Sequence, residues 1–389
     1  MTTWSNWSGR ETCEPAQLRF VRSVDELGAV VATAAETGRR VRVAGSGHSH
    51  SPLVPTSDVI VDVSGLSGVV AVDAAAGTAR VWAGTTISAL GRPLHDAGVA
   101  LANQGDIDRQ TIAGAVATGT HGTGRTLRNL SASVLGLTLV TATGDTVTYD
   151  AAHDPHLFEA ARLGLGAFGV VTQIDLAVRP AYRLAERSWR APYDELRGEV
   201  DEHVRRHRHF EFFWYPGRDV AVAKAIDETD AAPEYPLADE GGRIGWNYEV
   251  LPNHRPHLHT EIEVAVPLER SLDCLDELRH LIRSRFADLR WPIEYRTLAA
   301  DDVWLSQAYE RDVATISVHQ GVDVSDVALF TACEAVFRRY DARAHWGKVH
   351  FSTGADLAAA HPRWADWWER RDVADPGGVF LNDALRAWR

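Results

Sequence analysis

Residues 111–124 are the most constraining stretch of the chain, because eleven of these fourteen residues are Gly, Ala or Thr. The stretch reads TIAGAVATGTHGTG. Side chains this small cannot fill a core, but they let the backbone lie directly against a large, flat ligand. We interpret the stretch as one wall of a ligand site. The alternative is a tightly packed short helix of small residues followed by a glycine loop.

A second run of small residues follows a predicted strand. The alternating sequence RVRV at 40–43 is typical of a strand, and the seven residues after it read AGSGHSH. Consecutive amide groups in such a turn form a concavity that binds anions, and glycine lets the anion come close. A pyrophosphate fits this description, whereas a plain glycine turn is the alternative. The third glycine and the helix of the dinucleotide fingerprint are missing, which argues against a nicotinamide-binding Rossmann unit.

The order of the predicted elements favours an α+β fold. The first 180 residues mix short β-branched strands with helices, unlike the regular alternation of a doubly wound domain. Beyond that point the pattern predicts helices packed on an antiparallel sheet. With 389 residues the chain is long enough for two or three domains. We predict a first domain over 12–180, a second over 181–335, and a C-terminal segment, 336–389, that folds back onto the first.

Charge and hydropathy argue against two classes of partner. The 40 Lys and Arg residues against 53 Asp and Glu give a formal net charge of −13, which repels nucleic acid and anionic lipid. No apolar run reaches the roughly 18 residues of a membrane-spanning helix. The N-terminus has no basic head followed by an apolar stretch, so it does not resemble a secretory signal. We therefore expect no nucleic acid and no membrane partner, and a cytoplasmic location.

The sequence predicts no metal site. The three cysteines are far apart and lack the paired spacings of zinc or redox motifs. The run His254, His257 and His259 contains Pro256, which disfavours the helix that would align the imidazoles. A loop is the favoured interpretation of this run.

Two motifs in the second half carry charged side chains in patterns that suit chemistry. In the predicted strand PIEYR, the period of two puts Glu294 and Arg296 on one face, although a surface ion pair is the alternative. Lys348 in HWGK is one of only two lysines, the other being Lys224, whereas 38 basic residues are Arg. A solvated surface lysine is the alternative there. His319 lies on a further predicted strand, SVHQ.

Four ordered segments resemble one known family. They are RVRVAGSGHSHSP, GDIDRQTIAGAVATGTHGTG, LGLGAFGVVTQIDLAVRP, and the tail HWGKVHF followed by DPGGVFLND. Together they resemble the aldonolactone and alditol oxidoreductases, which include L-gulonolactone oxidases and dehydrogenases, D-arabinonolactone oxidases and alditol oxidases. These are flavoproteins of the vanillyl-alcohol oxidase fold, with a PCMH-type FAD-binding domain of two α+β subdomains and a substrate-binding cap domain. The resemblance covers nearly the whole chain.

The resemblance implies FAD as the cofactor. In many members the histidine of the G-x-G-H-S turn is joined covalently to the flavin, and that position here is His48. His50 is the nearest competitor but falls outside the motif. Because no Cys lies near residue 105, the doubly attached flavin of some relatives is excluded. The residues expected to contact FAD are Ala44, Gly45, Ser46, Gly47, His48, Ser49, His50, Gly105, Asp106, Thr111, Gly114, Ala117, Thr118, Thr120, His121, Gly169, Val170 and Val171.

The resemblance also implies the catalytic residues. Glu294 would accept a hydrogen bond or the proton from the substrate hydroxyl, and Arg296 would orient the substrate and stabilise negative charge. Lys348 would donate to the substrate hydroxyl and to the flavin. At the position of His319 alditol oxidases have a threonine, so substrate binding, proton transfer and packing stay open for it. The residues expected at the substrate are Asp106, Glu294, Arg296, His319 and Lys348.

The function implied is FAD-dependent oxidation of a hydroxyl-bearing carbon in an aldonolactone, alditol or related polyol, with oxygen or another electron acceptor. Because residues 181–335 are short compared with typical relatives, a tailoring oxidase of a sugar-containing secondary metabolite is the alternative within the class. Two different functions compete with it: a non-catalytic flavin-binding module and an NADPH-dependent reductase of the same fold. The presence of Glu294, Arg296 and Lys348 argues against the module, and the absence of a second glycine-rich dinucleotide element argues against the reductase.

Overall fold

The computed structural model of the chain describes residues 2–389. The α-helices in this range are α1 (Val24–Glu36), α2 (Ile87–Asp96), α3 (Ile112–Ala117), α4 (Pro155–Ala161), α5 (Tyr193–Arg206), α6 (Asn247–Val250), α7 (Ser271–Arg285), α8 (Val327–Phe337), α9 (Gly354–Ala360), α10 (Trp364–Ala374) and α11 (Asp383–Trp388). The strands are β1 (Trp4–Ser5), β2 (Thr12–Cys13), β3 (Gln17–Phe20), β4 (Val41–Ala44), β5 (Val59–Asp62), β6 (Val69–Asp73), β7 (Thr78–Trp82), β8 (Val99–Ala100), β9 (Val134–Val140), β10 (Thr146–Asp150), β11 (Val170–Ala177), β12 (Arg179–Pro180), β13 (Arg183–Pro192), β14 (His209–Tyr215), β15 (Val220–Glu228), β16 (Ile244–Trp246), β17 (His259–Pro267), β18 (Ile293–Leu298), β19 (Val313–Gly321) and β20 (Arg343–Ala344).

Two larger sheets form the first part of the chain. Strands β3, β5 and β4 pair in parallel in that order, and β10, β9, β11, β7 and β6 form an antiparallel sheet. Helix α1 begins after Ser23, whose side chain accepts a hydrogen bond from the amide of Glu26 and so caps the helix. Its residues Leu27 and Val31 are buried in a core with Val41 and other residues of the parallel sheet. The first part therefore consists of two α+β units.

One antiparallel sheet of eight strands dominates the second part, in the order β16-β13-β15-β14-β18-β19-β17-β20. Because side chains alternate along a strand, β14 sends Phe210, Phe212 and Trp214 to one face and Glu211 and Phe213 to the other. The first face is buried under α5, α7 and α8 in a continuous apolar core. The opposite face, which we call the polar face, carries charged and histidine side chains on β14, β15, β17, β18 and β19.

The C-terminal segment completes the core of the first part. Trp346, Trp364 and Trp367 are buried together with residues of α2, α3 and β9. The ring of Trp367 meets that of Phe168 edge-on, with 5.2 Å between centroids. Its indole N–H donates to the carbonyl of Ala160 at 3.0 Å. The tryptophans near the end of the chain therefore hold its last helices against the first two sheets.

The predicted α+β fold, with an antiparallel sheet flanked by helices in the second part, is confirmed. None of the helices in residues 2–389 combines the length and the apolar character that crossing a membrane requires.

Candidate active site

A cleft lies between the turn after β4, helix α3 and the segment that leads into β11. The small residues of 111–118 form one of its walls, as their composition predicts. Eleven of the residues expected to contact FAD line this cleft: Gly45, Ser46, Gly47, His48, Ser49, Thr111, Gly114, Ala117, Thr118, Gly169 and Val171.

The two walls of this cleft approach each other closely at Gly45. A Cβ atom at Gly45 would lie 2.2 Å from Oγ1 of Thr111, so only glycine fits. Thr111 is itself held in place, because its Oγ1 accepts the amide of Gly114 at 3.3 Å and caps α3.

The backbone amides of 46–49 have no hydrogen-bond partner among residues 2–389. Unpaired amides in a glycine turn suit an anion such as a pyrophosphate, so the residues present fit FAD.

The two histidines of the turn have different surroundings. His48 is half-buried and lines the cleft, with its ring 5.5 Å from that of Trp7. Burial, and then the charge of Lys348, lower the pKa of His48 to about 4, so its imidazole is neutral at pH 7. His50 is buried outside the cleft lining, and its Nδ1 lies 3.2 Å from Oγ of Ser8. Of the two rings, His48 is the one that faces the cleft.

A second cavity, of about 700 Å³, opens over the polar face of the eight-stranded sheet. It adjoins the first cleft. Ser49 lines the cleft and Lys348 lines the second cavity, and the residues next to them are bonded, since the amide of His50 donates to the carbonyl of Gly347 at 2.7 Å. Strand β18 contributes two of its polar-face side chains. All five residues expected at the substrate line this one cavity: Asp106, Glu294, Arg296, His319 and Lys348.

Arg296 is the centre of the charged groups in this cavity. Its guanidinium lies 2.5 Å from Glu294, 3.0 Å from Asp106 and 3.1 Å from Glu211. Burial opposes its charge, but the three carboxylates, with Glu294 first, hold the pKa of Arg296 well above its ordinary value. Glu211 is shared with Lys224, whose Nζ lies 2.5 Å from its other oxygen. The result is a buried chain of alternating charges that fixes the position of the guanidinium.

Lys348 belongs to a separate group on the same face. Its ammonium donates to Glu261 on β17, and Nε2 of His319 lies 3.7 Å from the other oxygen of that carboxylate. Nδ1 of His319 lies 2.9 Å from the carbonyl of Pro292 and therefore carries the proton. Burial is the main cause that lowers the pKa of His319 to about 4. His319 is thus a neutral imidazole, whereas Lys348 and Glu261 are an ion pair.

Glu294 is the least satisfied carboxyl group in the cavity. It is 4% exposed, and its Oε1 has no hydrogen-bond partner of suitable geometry among residues 2–389, although Arg296 is close. Burial raises the pKa of Glu294 well above its ordinary value, against the opposing charge of Arg296. By contrast, burial alone would raise the pKa of Asp106, but Arg296 and Arg255 hold it well below its ordinary value. Asp106 and Glu211 each have a second cation, Arg255 and Lys224, whereas Glu294 shares only Arg296 and is the carboxyl group whose pKa is raised.

Several residues expected at FAD lie away from the cleft. Asp106 lines the second cavity instead. His121 is buried with its Nε2 2.8 Å from Glu263 and its Nδ1 2.7 Å from the carbonyl of Gly122. The seven expected contacts outside the cleft lining are Ala44, His50, Gly105, Asp106, Thr120, His121 and Val170.

The sequence analysis did not identify Glu211, Lys224, Arg255 and Glu261 as site residues, yet all four belong to this cavity or to its charge network. For Lys224 a signal existed, because lysine is so rare in this chain. For the others the positions follow only from the pairing of distant strands.

The three histidines of the H-x-x-H-x-H run also line the second cavity. His254 and His257 lie in a loop, as the proline predicts, and His259 begins β17. The ring of His259 packs against those of Trp291 and His319 at 5.1 and 5.3 Å between centroids. The run therefore forms part of the cavity wall.

Comparisons with known proteins agree with this geometry. The sequence profile of D-arabinono-1,4-lactone oxidase matches residues 174–240 and 239–388, and that of the FAD binding domain matches residues 15–150. The L-gulono-1,4-lactone dehydrogenase of Mycobacterium tuberculosis is 36% identical, over 98% of each chain. The alditol oxidase of a Streptomyces species is 31% identical, over 99% of this chain and 98% of its own.

The fold is also that of solved structures. Cholesterol oxidase from B. sterolicum superimposes with a TM-score of 0.88 at 17% identity, over 99% of this chain and 96% of its own. The first part of the chain is an FAD-binding domain. Profile and relatives both extend over most of the sequence, and the chain therefore belongs to the D-arabinono-1,4-lactone oxidase family of FAD-binding proteins.

Proposed function

We propose that this protein oxidises a hydroxyl-bearing carbon of a sugar-derived substrate, namely an aldonolactone, an alditol or a related polyol. The observation that carries the proposal is the convergence of Glu294, Arg296 and Lys348 in one cavity beside the FAD-binding cleft. The names of the relatives support this substrate class. Bound in the cleft, FAD would supply the hydride acceptor for this oxidation.

The side chains of the cavity divide the remaining work. Arg296 and Lys348 donate hydrogen bonds to substrate oxygens and hold the hydroxyl-bearing carbon in one orientation, which contributes much of the rate acceleration. In its ionised form, Glu294 takes the proton of the substrate hydroxyl, so that a carbonyl group forms as the hydride leaves. His319 is neutral and its free Nε2 accepts a hydrogen bond from a further substrate hydroxyl. Asp106 keeps Arg296 in position from the opposite side of the cavity.

We also propose that FAD is joined covalently to His48. The ring faces the cleft, and its neutral form at pH 7 would be the nucleophile for the methyl carbon of the flavin. The methyl group would lose a proton as the C–N bond forms, and the two electrons left on the flavin would pass to oxygen or another electron acceptor. The buried position of His50 outside the cleft lining makes that residue the weaker candidate.

Anaerobic titration of the purified yellow protein tests the proposed activity. Polyols, aldonolactones and free sugars are added in turn while the flavin absorbance is followed. We expect at least one member of the panel to bleach the flavin. Readmission of air with a peroxide assay, or addition of a redox dye, then distinguishes oxygen from another electron acceptor.

Adding NADPH as a further compound in this titration separates the competing functions. Bleaching by NADPH and by no sugar would identify a reductase. A protein that binds FAD but is bleached by neither would be a non-catalytic module. Either result contradicts the proposed function.

A further inference from the structure

We propose that the substrate is a glycoside, in which the part to be oxidised is joined to at least one further sugar ring. This inference rests on the proposed function and specifies the substrate class of the same site. Three observations carry it: the size of the cavity over the polar face, the change in character along its floor, and its continuation into a neighbouring cavity.

The cavity over the polar face has more room than a single hexonolactone fills. Its volume is about 700 Å³. At the packing density of protein interiors, a hexonolactone fills on the order of 200 Å³, and the ring system of a flavin on the order of 300 Å³. Even if the whole flavin ring system entered this cavity, room for a second sugar ring would remain beside the first.

The floor of the cavity changes from charged to aromatic along β14. Glu211, Phe213 and Tyr215 occupy successive polar-face positions, about 7 Å apart each. Glu211 is 4% exposed and bonded to Arg296, whereas Tyr215 is 37% exposed. Tyr215 therefore lies two polar-face positions along β14 from the carboxylate that bonds Arg296. Trp291, a second aromatic side chain, also lines the cavity.

Tyr215 has no partner of its own. Neither its hydroxyl nor its ring makes a hydrogen bond, an aromatic contact or a cation–π contact with the part of the chain from residue 2 to 389. Phe213, by contrast, is covered by the guanidinium of Arg255 at 5.2 Å. An unpartnered aromatic face beside a polyol site suits the C–H face of a pyranose ring, which is apolar on one side and hydroxylated at its rim.

The active-site cavity continues beyond Tyr215. A neighbouring cavity of about 540 Å³ shares Arg190, Tyr215 and Val222 with it. This neighbouring cavity is also lined by Arg218 and Arg290. The guanidinium groups of these arginines form no ion pair in residues 2–389 and are free to donate hydrogen bonds to hydroxyl and ring oxygens. Together the two cavities form an extended groove whose far half offers stacking and donors but no catalytic group.

Paired substrates test the inference on the FAD-loaded protein. Sorbitol is compared with maltitol, lactitol and cellobiitol, which carry one glucosyl or galactosyl ring in different linkages. Glucono-1,5-lactone is compared with lactobiono-1,5-lactone. We expect kcat/KM for at least one two-unit compound to exceed that of its one-unit partner by tenfold or more. Ratios of one or less for every pair would overturn the inference.

A substitution of Tyr215 provides the second measurement. In Tyr215→Ala the preference for the two-unit compound should fall at least tenfold. The matched control is Tyr235→Ala, an exposed tyrosine that lines neither cavity, and it should keep the preference within twofold. An unchanged preference in Tyr215→Ala would contradict the assignment of this residue to the second ring.

A binding measurement tests the glycoside inference even if the proposed oxidation does not occur. When no compound bleaches the flavin, the same compounds are unreactive ligands, and calorimetry gives their Kd for the FAD-loaded protein. Tenfold tighter binding of a two-unit compound, lost in Tyr215→Ala, supports the inference without turnover. Equal or weaker binding of all the two-unit compounds overturns it.

Discussion

The guanidinium of Arg296 lies 3.0 Å from the carboxylate of Asp106, a residue 190 positions earlier in the chain. Arg296 lies on the eight-stranded sheet, whereas Asp106 lies in the loop before α3. The same aspartate bonds Arg255 at 3.1 Å, and its carbonyl accepts the amide of Asn253 at 2.8 Å. Asp106 therefore links the FAD-binding part of the chain to both the floor and the rim of the second cavity.

Replacing Asp106 by Asn tests this link. The change keeps the shape of the side chain but removes the charge that orients Arg296 and Arg255. Since a hydrogen bond to a charged group contributes about 1.5–3 kcal/mol, we expect kcat/KM to fall about tenfold to a hundredfold. Asp96→Asn, which breaks an exposed ion pair with Arg92, is the control and should change the rate less than twofold. Equal effects of the two substitutions would show that Asp106 does not position Arg296.

Glu294 should give the reaction a pH dependence. Its raised pKa means that the ionised, proton-accepting form accumulates only at a pH well above 4.5. We expect kcat to rise with pH along a limb that lies above that value. In Glu294→Gln the rate should be lower and this limb should be absent. A rising limb that survives in Glu294→Gln would assign the proton acceptor to another group.

The carboxyl group of Glu294 should also make stability depend on pH, but stability should fall with rising pH whereas kcat rises. Because the pKa of Glu294 is higher in the folded than in the unfolded chain, its contribution is complete below about pH 4.5 and is lost as the pH rises through the folded pKa. Thermal unfolding of wild type should therefore show a fall in Tm over this range that is absent or smaller in Glu294→Gln. Parallel Tm curves for the two proteins would contradict the raised pKa.

Lys224 is expected to act on the substrate through Glu211 and Arg296. Removing one partner of a buried ion pair costs about 3–5 kcal/mol, so Lys224→Met should lower the free energy of unfolding by about that amount. Unpaired Glu211 would also attract Arg296 away from the substrate, so KM should rise more than kcat falls. Lys224→Arg should restore KM in part. A loss of stability with KM unchanged would indicate a purely structural lysine.

Strand periodicity explains why part of this site was predictable. The alternation in PIEYR puts Glu294 and Arg296 on one face, and both are indeed on the polar face of β18. Glu211, Lys224 and Glu261 lie on three other strands. Local alternation gives the face of each residue within its own strand but not which distant strands pair. Their meeting depends on the antiparallel register that joins Glu211 to Lys224 and Glu261 to His319.

The first cleft shows the same limit. The composition of 111–124 indicated a wall, and six of the eight residues of 111–118 line the cleft. The residues that follow turn away, so that Thr120 and His121 are buried outside the lining. His121 meets Glu263, a residue of β17, and no local pattern predicts a contact with a strand so far along the chain. The sequence identified the segment, whereas tertiary packing decided which of its residues face the cleft.

Gly45→Ala should reduce the amount of FAD that the protein holds. The added Cβ would lie 2.2 Å from Oγ1 of Thr111, which forces the turn and α3 apart. The ratio of flavin to protein absorbance after gel filtration measures the loss. Gly198→Ala is the control, because nothing lies within 4 Å of its Cβ position in the exposed part of α5, and alanine favours a helix there. Full flavin content in Gly45→Ala would mean that the turn shifts without cost to the cofactor.

Covalent attachment separates the two histidines of the turn. In His48→Ala, FAD should be released by acid precipitation, and the denatured protein should show no flavin fluorescence on a gel, because the ring that faces the cleft is gone. His50→Ala should keep the fluorescent band, although it loses the contact with Ser8 and should be less stable. The pKa of about 4 for His48 adds a condition: incubating the apoprotein with FAD should form the bond readily at pH 7 and more slowly as the pH falls towards 4, where the imidazole becomes protonated. A band that persists in His48→Ala and disappears in His50→Ala would assign the bond to His50 instead.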